Sequence, residues 1–236
     1  MSASTMAGQV TDALGQADEA VARRAAAARK YVVEAIGTFF LVFTVGASVL
    51  SGSPMAPLAI GFSLAVMIYA GGHISGGHYN PAVTLAALVR GRIGARDAVG
   101  YWIAQIVAGV VAALVALRVV NPAQVNTLVP AGHALGAAFL AELLFTFALC
   151  YVVLNVATSK DNPNNSFYGI AVGFTVVAGA FAVGGISGGA FNPAVTLGAD
   201  TIGLLGWGTL WVYLLAQVIA GAAAGLTFRA LNPDDK

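Results

Sequence analysis

The chain has 236 residues, of which 58% are apolar and only 9% are charged. Soluble domains carry about a quarter charged residues, so a water-soluble fold is excluded and a lipid-facing one is expected. A net charge of +1 supplies no basic field for a nucleic-acid partner, and the single cysteine, Cys150, lies in an apolar stretch that reads as packing rather than redox chemistry.

Residues 1–30 are polar and alanine-rich, without the apolar centre of a signal peptide. Val10, Leu14 and Val21 hint at a weak amphipathic helix, but a solvated cytoplasmic tail is the preferred reading. Six apolar windows follow, at about 31–50, 57–74, 99–120, 134–157, 168–186 and 210–228. About 20 helical residues cross a bilayer core, and unpaired backbone groups are not tolerated in lipid, so each window is predicted to be helical. Lysine and arginine then set the orientation. Arg23, Arg24, Arg29, Lys30, Arg90, Arg92, Arg96, Lys160, Arg229 and Lys236 all fall on one side of six crossings, and only Arg118 falls on the other. Both termini are therefore expected on the cytoplasmic side of a multi-pass cell-membrane protein.

The chain repeats itself. Residues 61–85, GFSLAVMIYAGGHISGGHYNPAVTL, return as 173–197, GFTVVAGAFAVGGISGGAFNPAVTL. Residues 101–109, YWIAQIVAG, return as 213–221, YLLAQVIAG, at the same offset of 112. Glu34 and Thr38-Phe39 match Glu142 and Thr146-Phe147 at an offset of 108. Each repeat, about 31–120 and about 134–230, holds three spans, so the second enters the membrane from the opposite side and the two are inverted. The organisation is a domain over 31–230 between tails at 1–30 and 231–236.

The best-matched element is ISGG-x-x-NPAVTL. Proline directly after asparagine suits a first helical residue, which makes Asn80 and Asn192 N-caps ahead of Pro81-Ala82 and Pro193-Ala194. The apolar stretches that follow, 82–89 and 194–205, are too short to span and read as half-helices dipping into the membrane beside a cavity. Inversion brings their N-termini together, each with about half a positive charge. The two asparagines offer amide donors, and Gly76, Gly77, His78, Gly188 and Ala190 offer carbonyl acceptors. Such a path suits a neutral hydrogen-bonding solute and opposes cations. A plain helix-start turn would explain one such motif; two in register point to a pore. A third copy, Asn121-Pro122-Ala123, lacks the glycine lead-in, and it and Asn232-Pro233-Asp234 read as ordinary turns.

These paired motifs, the E-x-x-x-T-F starts and the A-Q-x-x-A-G helices resemble those of the aquaporin, or major intrinsic protein, family, over about residues 31–228. The resemblance implies an all-α membrane fold of six transmembrane helices and two re-entrant half-helices in two inverted repeats. It also implies a homotetramer in the lipid bilayer with one pore per protomer, without a cofactor. Glu34 and Glu142, the only acidic residues in the spans, have two readings: proton coupling, or support of the pore loops, which the family implies and the symmetry favours. His73 and His78 lack a third ligand because His133 lies near the outer face, so no metal site is expected. A pH-gating role for His78 is a second reading beside its carbonyl.

In orthodox water channels of the family a filter outside the pore centre carries an arginine directly after the second Asn-Pro-Ala. Val195 stands there, and counting from the asparagines puts the other filter positions at Ile60, Ala180 and Gly189. A shift of one residue would exchange Ala180 for Gly179 or Phe181. The set is small and apolar, so a wider pore is expected, with ion exclusion resting on the half-helix dipoles. Valine at this position also occurs in some plant vacuolar-membrane members, which as a group tend to pass small neutral solutes besides water. The glycerol-channel pattern places an aspartate two positions after the motif; Thr196 stands there and Asp200 comes later, so a dedicated glycerol facilitator is not the expectation. The leading reading is a passive channel for water and small neutral solutes such as ammonia, urea, glycerol or hydrogen peroxide. A facilitator with water secondary, a secondary transporter and a non-conducting membrane protein are the alternatives; no nucleophile–base pair points to an enzyme.

Overall fold

A computed structural model describes residues 3–121 and 125–235, almost entirely as helix. In chain order the helices are α1 (Ala3–Leu50), α2 (Ala56–Ser75), α3 (Pro81–Arg90), α4 (Ala95–Val120), α5 (His133–Ala157), α6 (Tyr168–Ser187), α7 (Pro193–Ile202) and α8 (Leu210–Leu231). Six are long and apolar enough to cross a membrane; α3 and α7 are ten-residue half-helices.

The helix ends follow from local chemistry. Gly76 and Gly188, at φ 90° and 88°, end α2 and α6 in the left-handed region open to glycine. The half-helices stop at Gly91 and Gly203 in the same conformation, so the second ends at Ile202, short of the 205 expected from apolarity alone. Asn121 caps α4 with its N–H on the Leu117 carbonyl, and Asn232 caps α8 on Phe228. Both are helix-end turns; Pro122 and Ala123 lie outside the described residues.

Both tails carry structure that the sequence reading did not describe. The first is helical: α1 runs unbroken from Ala3 into the membrane span. Alanine-rich sequence without glycine or proline between Gly15 and Gly37 has no reason to stop, although Leu14 and Val21 remain exposed. The second is docked. Asp235 folds back onto Arg90, which is buried.

Within the membrane, apolar burial supplies little drive for helix association, so small residues that permit close packing take over. Ala86, Ala112, Ala113, Ala116, Ala138, Ala216, Ala220 and Ala224 are wholly buried at the crossings, while Val107, Leu144, Phe181 and Leu226 face outward. Cys150 is buried and free. The repeats interlock: α3 packs chiefly on α8, and α7 chiefly on α4. The A-Q-x-x-A-G glycines permit this. A Cβ on Gly109 would lie 2.9 Å from the Ala194 carbonyl oxygen, and one on Gly221 would lie 2.6 Å from that of Ala82.

Candidate functional site: the junction of the two half-helices

The two Asn-Pro-Ala segments meet end to end. Asn80 accepts the Ala82 N–H at 2.8 Å and donates its amide across the junction to the Phe191 carbonyl at 2.9 Å. Asn192 accepts the Ala194 N–H at 2.9 Å and donates to the Tyr79 carbonyl at 2.9 Å. Each side chain therefore caps its own half-helix and ties down the other's lead-in. One amide N–H of each is committed to this cross-tie, which leaves the second for a ligand.

Each lead-in hangs on a buried carboxylate. Glu34 accepts from the Ser75 hydroxyl (2.7 Å), the His78 and Tyr79 N–H groups (2.9 and 2.7 Å) and the Gln105 amide (2.8 Å). Glu142 repeats this with Ser187 (2.7 Å), Ala190 (3.0 Å), Phe191 (2.7 Å) and Gln217 (2.9 Å). Four donors on a carboxylate offset the cost of burying its charge. Tyr79 and Phe191 take φ values of 49° and 48°, a conformation unusual for side-chain-bearing residues that these bonds hold in place.

Sequence reasoning missed several members of this scaffold. Gln105 and Gln217 also donate to the hydroxyls of Thr84 and Thr196, at 3.1 and 2.9 Å. Tyr101 and Tyr213 donate to the Ser75 and Ser187 carbonyls. A signal was present: each pair lies 112 residues apart inside the recognised repeats, and polar residues recurring in register within apolar spans require partners.

Two cavities open from the junction. The outer one, on the side away from the termini, has a volume of about 340 Å³; Ile60, Ala180, Gly189 and Val195 all line it, with Asn80, Asn192, Gly188 and Ala190. Phe181 points away and is 57% exposed, and Gly179 packs toward Phe145 and Phe191. No charged side chain lines this cavity among the described residues. Asn126, which sequence reasoning passed over, adds a polar group at its mouth; Thr127 and Leu128, bonded to the Gly203 and Leu204 carbonyls, hold that loop. The inner vestibule, about 630 Å³, is lined by Ser75, Gly76, Arg92, Asp97 and Thr158 among others. His78 and Val153 line both cavities and so mark where they meet. Gly77 lines neither: its Cα side packs on α2 near Gly72. No cluster of three metal-ligating side chains occurs among the described residues.

At the inner rim, Arg90 donates to Asp235 at 2.7 Å and to Thr158, and its guanidinium lies 4.3 Å from the Phe228 ring centre. The Lys160 N–H and the Arg90 and Arg92 guanidiniums hold the Asp235 carboxyl below the ordinary carboxylate range.

The similarities of the chain agree with this architecture. A sequence profile described as Major intrinsic protein matches residues 21–228. Glycerol uptake facilitator protein-like 6 of Lactiplantibacillus plantarum is 38% identical over 216 residues, covering 88% of this chain and all of that protein. Aquaporin NIP2-1 of Oryza sativa subsp. japonica is 36% identical, over 88% of this chain and 72% of its own length. Aquaporin TIP1-1 of Arabidopsis thaliana is 38% identical, over 78% and 73% respectively. The solved aquaglyceroporin from Plasmodium falciparum superposes with a TM-score of 0.72 at 20% identity, covering 88% of this chain and 98% of that one; at that identity the likeness is one of fold. With the profile spanning most of the chain and the half-helix junction intact, this protein belongs to the major intrinsic protein family of membrane channels.

Proposed function

We propose that the chain is a passive channel conducting water and other small neutral solutes, with the junction of Asn80 and Asn192 as its centre and Ile60, Ala180, Gly189 and Val195 as its outer filter. The observation that carries this reading is the pair of cavities sharing His78 and Val153, the outer one without a charged side chain among the described residues. Water, urea, glycerol, ammonia and hydrogen peroxide all present the donors and acceptors that such a wall can satisfy. The positive ends of α3 and α7 oppose cations. Valine in the arginine position removes a charge and several donors, which favours a broad solute range. The names of the relatives, an uptake facilitator of glycerol among them, are consistent with that breadth. Water as a secondary cargo is the second reading, favoured by the apolar filter. Cytoplasmic termini, from the charge asymmetry, and a homotetramer, from the family, complete the proposal.

Stopped-flow light scattering on proteoliposomes tests it. A low activation energy for water flux, with urea and glycerol flux above the lipid background, is the expected result. Flux equal to that of empty liposomes refutes the channel, and accumulation of a solute against its gradient would identify a transporter.

A further inference from the structure

The two halves of the scaffold share the same carboxylate, serine, glutamine, threonine and tyrosine, but His78 in the first half corresponds to Ala190 in the second. In the second half the chain of contacts runs Glu142, Gln217, Thr196 and ends there, because Ala190 follows. In the first half the corresponding position is His78, whose Nδ1 lies 3.0 Å from Thr84 Oγ1. The chain Glu34, Gln105, Thr84 is thereby extended to an imidazole at the meeting point of the two cavities.

Counting protons along that chain favours one tautomer. Thr84 Oγ1 has three neighbours: the Asn80 carbonyl at 3.1 Å, the Gln105 amide nitrogen at 3.1 Å and His78 Nδ1. The carbonyl only accepts, and the single hydroxyl proton of Thr84 is assigned to it, as that of Thr196 goes to the Asn192 carbonyl at 3.0 Å in the half that has no imidazole. Gln105 Nε2 only donates, and its orientation is set because it also donates to the Glu34 carboxylate at 2.8 Å; the flipped amide would set oxygen against oxygen. One lone pair of Thr84 remains for His78. With the hydroxyl proton so placed, Nδ1 carries the ring proton and Nε2 is left with its lone pair. Among the described residues Nε2 has no hydrogen-bond partner. It lies on the side of Gly76, where a Cβ would come within 3.3 Å of it, and Gly76 lines the inner vestibule.

We propose that Thr84 holds His78 in the Nδ1–H form, so that Nε2 is a fixed hydrogen-bond acceptor on the pore wall and His78 a specificity-determining residue that requires a donor from the passing solute. This rests on the channel reading above. The asparagine amides opposite are donors, so the junction carries both polarities within one constriction, and a solute able only to accept finds no partner at His78.

The test begins with nitrogen-15 NMR of histidine-labelled protein at about pH 8, above the ordinary histidine range. The chain has three histidines, and the variants His73→Gln and His133→Gln isolate the His78 signal. The Nδ1–H form in wild type, converted to the Nε2–H form in Thr84→Val, is the expected result. An Nε2–H form in wild type, or no change in Thr84→Val, overturns the proposal. Stopped-flow flux supplies the second arm. Thr84→Val and His78→Ala should each change the urea-to-water permeability ratio by about three- to tenfold, the worth of one net hydrogen bond; unchanged ratios overturn the specificity role. The NMR arm needs no conduction, and wild-type flux is scored separately, so failure of the channel reading is distinguishable from failure of this one.

Discussion

Arg90 and Asp235 form a buried ion pair 2.7 Å long that fastens the C-terminal segment to the end of the first half-helix. The same carboxylate accepts the Lys160 N–H at 2.9 Å, so three separate segments converge on it at the inner rim. A charge pair of this kind depends on both partners, because removing one leaves the other buried without a counter-charge. Asp235→Asn should lower the thermal midpoint of the detergent-solubilised protein at neutral pH. The pH dependence has a definite sign. The carboxyl is held below its ordinary value, led by the Lys160 N–H, so its contribution is complete above about pH 4 and is lost as pH falls through the depressed folded value. The gap between wild type and variant should therefore close below about pH 4. A gap independent of pH would show that the pair is not the cause.

Glu142→Gln should be among the most damaging substitutions in the protein. The carboxylate takes four donors, and an amide would turn its own NH2 toward some of them. A loss of about 3 kcal/mol or more is expected, read as a drop in thermal midpoint, with a similar loss for Glu34→Gln. Normal stability in both variants would remove the loop-support role and reopen proton coupling.

Val195→Arg places a long cation against the outer cavity. Urea and glycerol permeability should fall at least about tenfold, equivalent to ~1.4 kcal/mol on the barrier, while water flux persists. Unchanged solute permeability would show that Val195 does not belong to the filter.

Asp200 is buried in α7, and neither carboxylate oxygen has a hydrogen-bond partner among the described residues. It lies one helical turn beyond Thr196, outside the outer cavity lining, and its counterpart in the first repeat is Leu88. A buried polar group without a partner costs about 1–3 kcal/mol. Asp200→Ala is therefore expected to raise the thermal midpoint while leaving water flux unchanged; a fall in midpoint would show that the carboxyl has a stabilising partner.

Much of this architecture was legible in the chain because inverted symmetry wrote it twice. The pairs Asn80 and Asn192, and Glu34 and Glu142, stand out in apolar surroundings, and the expected spans lie within a few residues of the observed helices. Features that break the symmetry were hidden. The Arg90–Asp235 pair joins residues 145 positions apart with no counterpart in the other half, and Asn126 reaches the cavity only because its loop is bonded to Gly203 and Leu204. The helical extension of α1 before the first span was not predicted for another reason. Exposure and helicity are independent, and a polar alanine-rich stretch can have both.

The crossed packing of α3 on α8 and α7 on α4 bears on how the protein is made. When synthesis has delivered only the first repeat, its half-helix has no α8 to rest against, and the Asn80 amide has no Phe191 carbonyl to hold. The first re-entrant loop then has only its Glu34 anchor, and its half-helix must wait at the membrane until the last helix arrives. Assembly of the pore is then completed only late, and a chain truncated before α8 should be left with its first half-helix unseated, while α7 keeps α4 and the Tyr79 carbonyl.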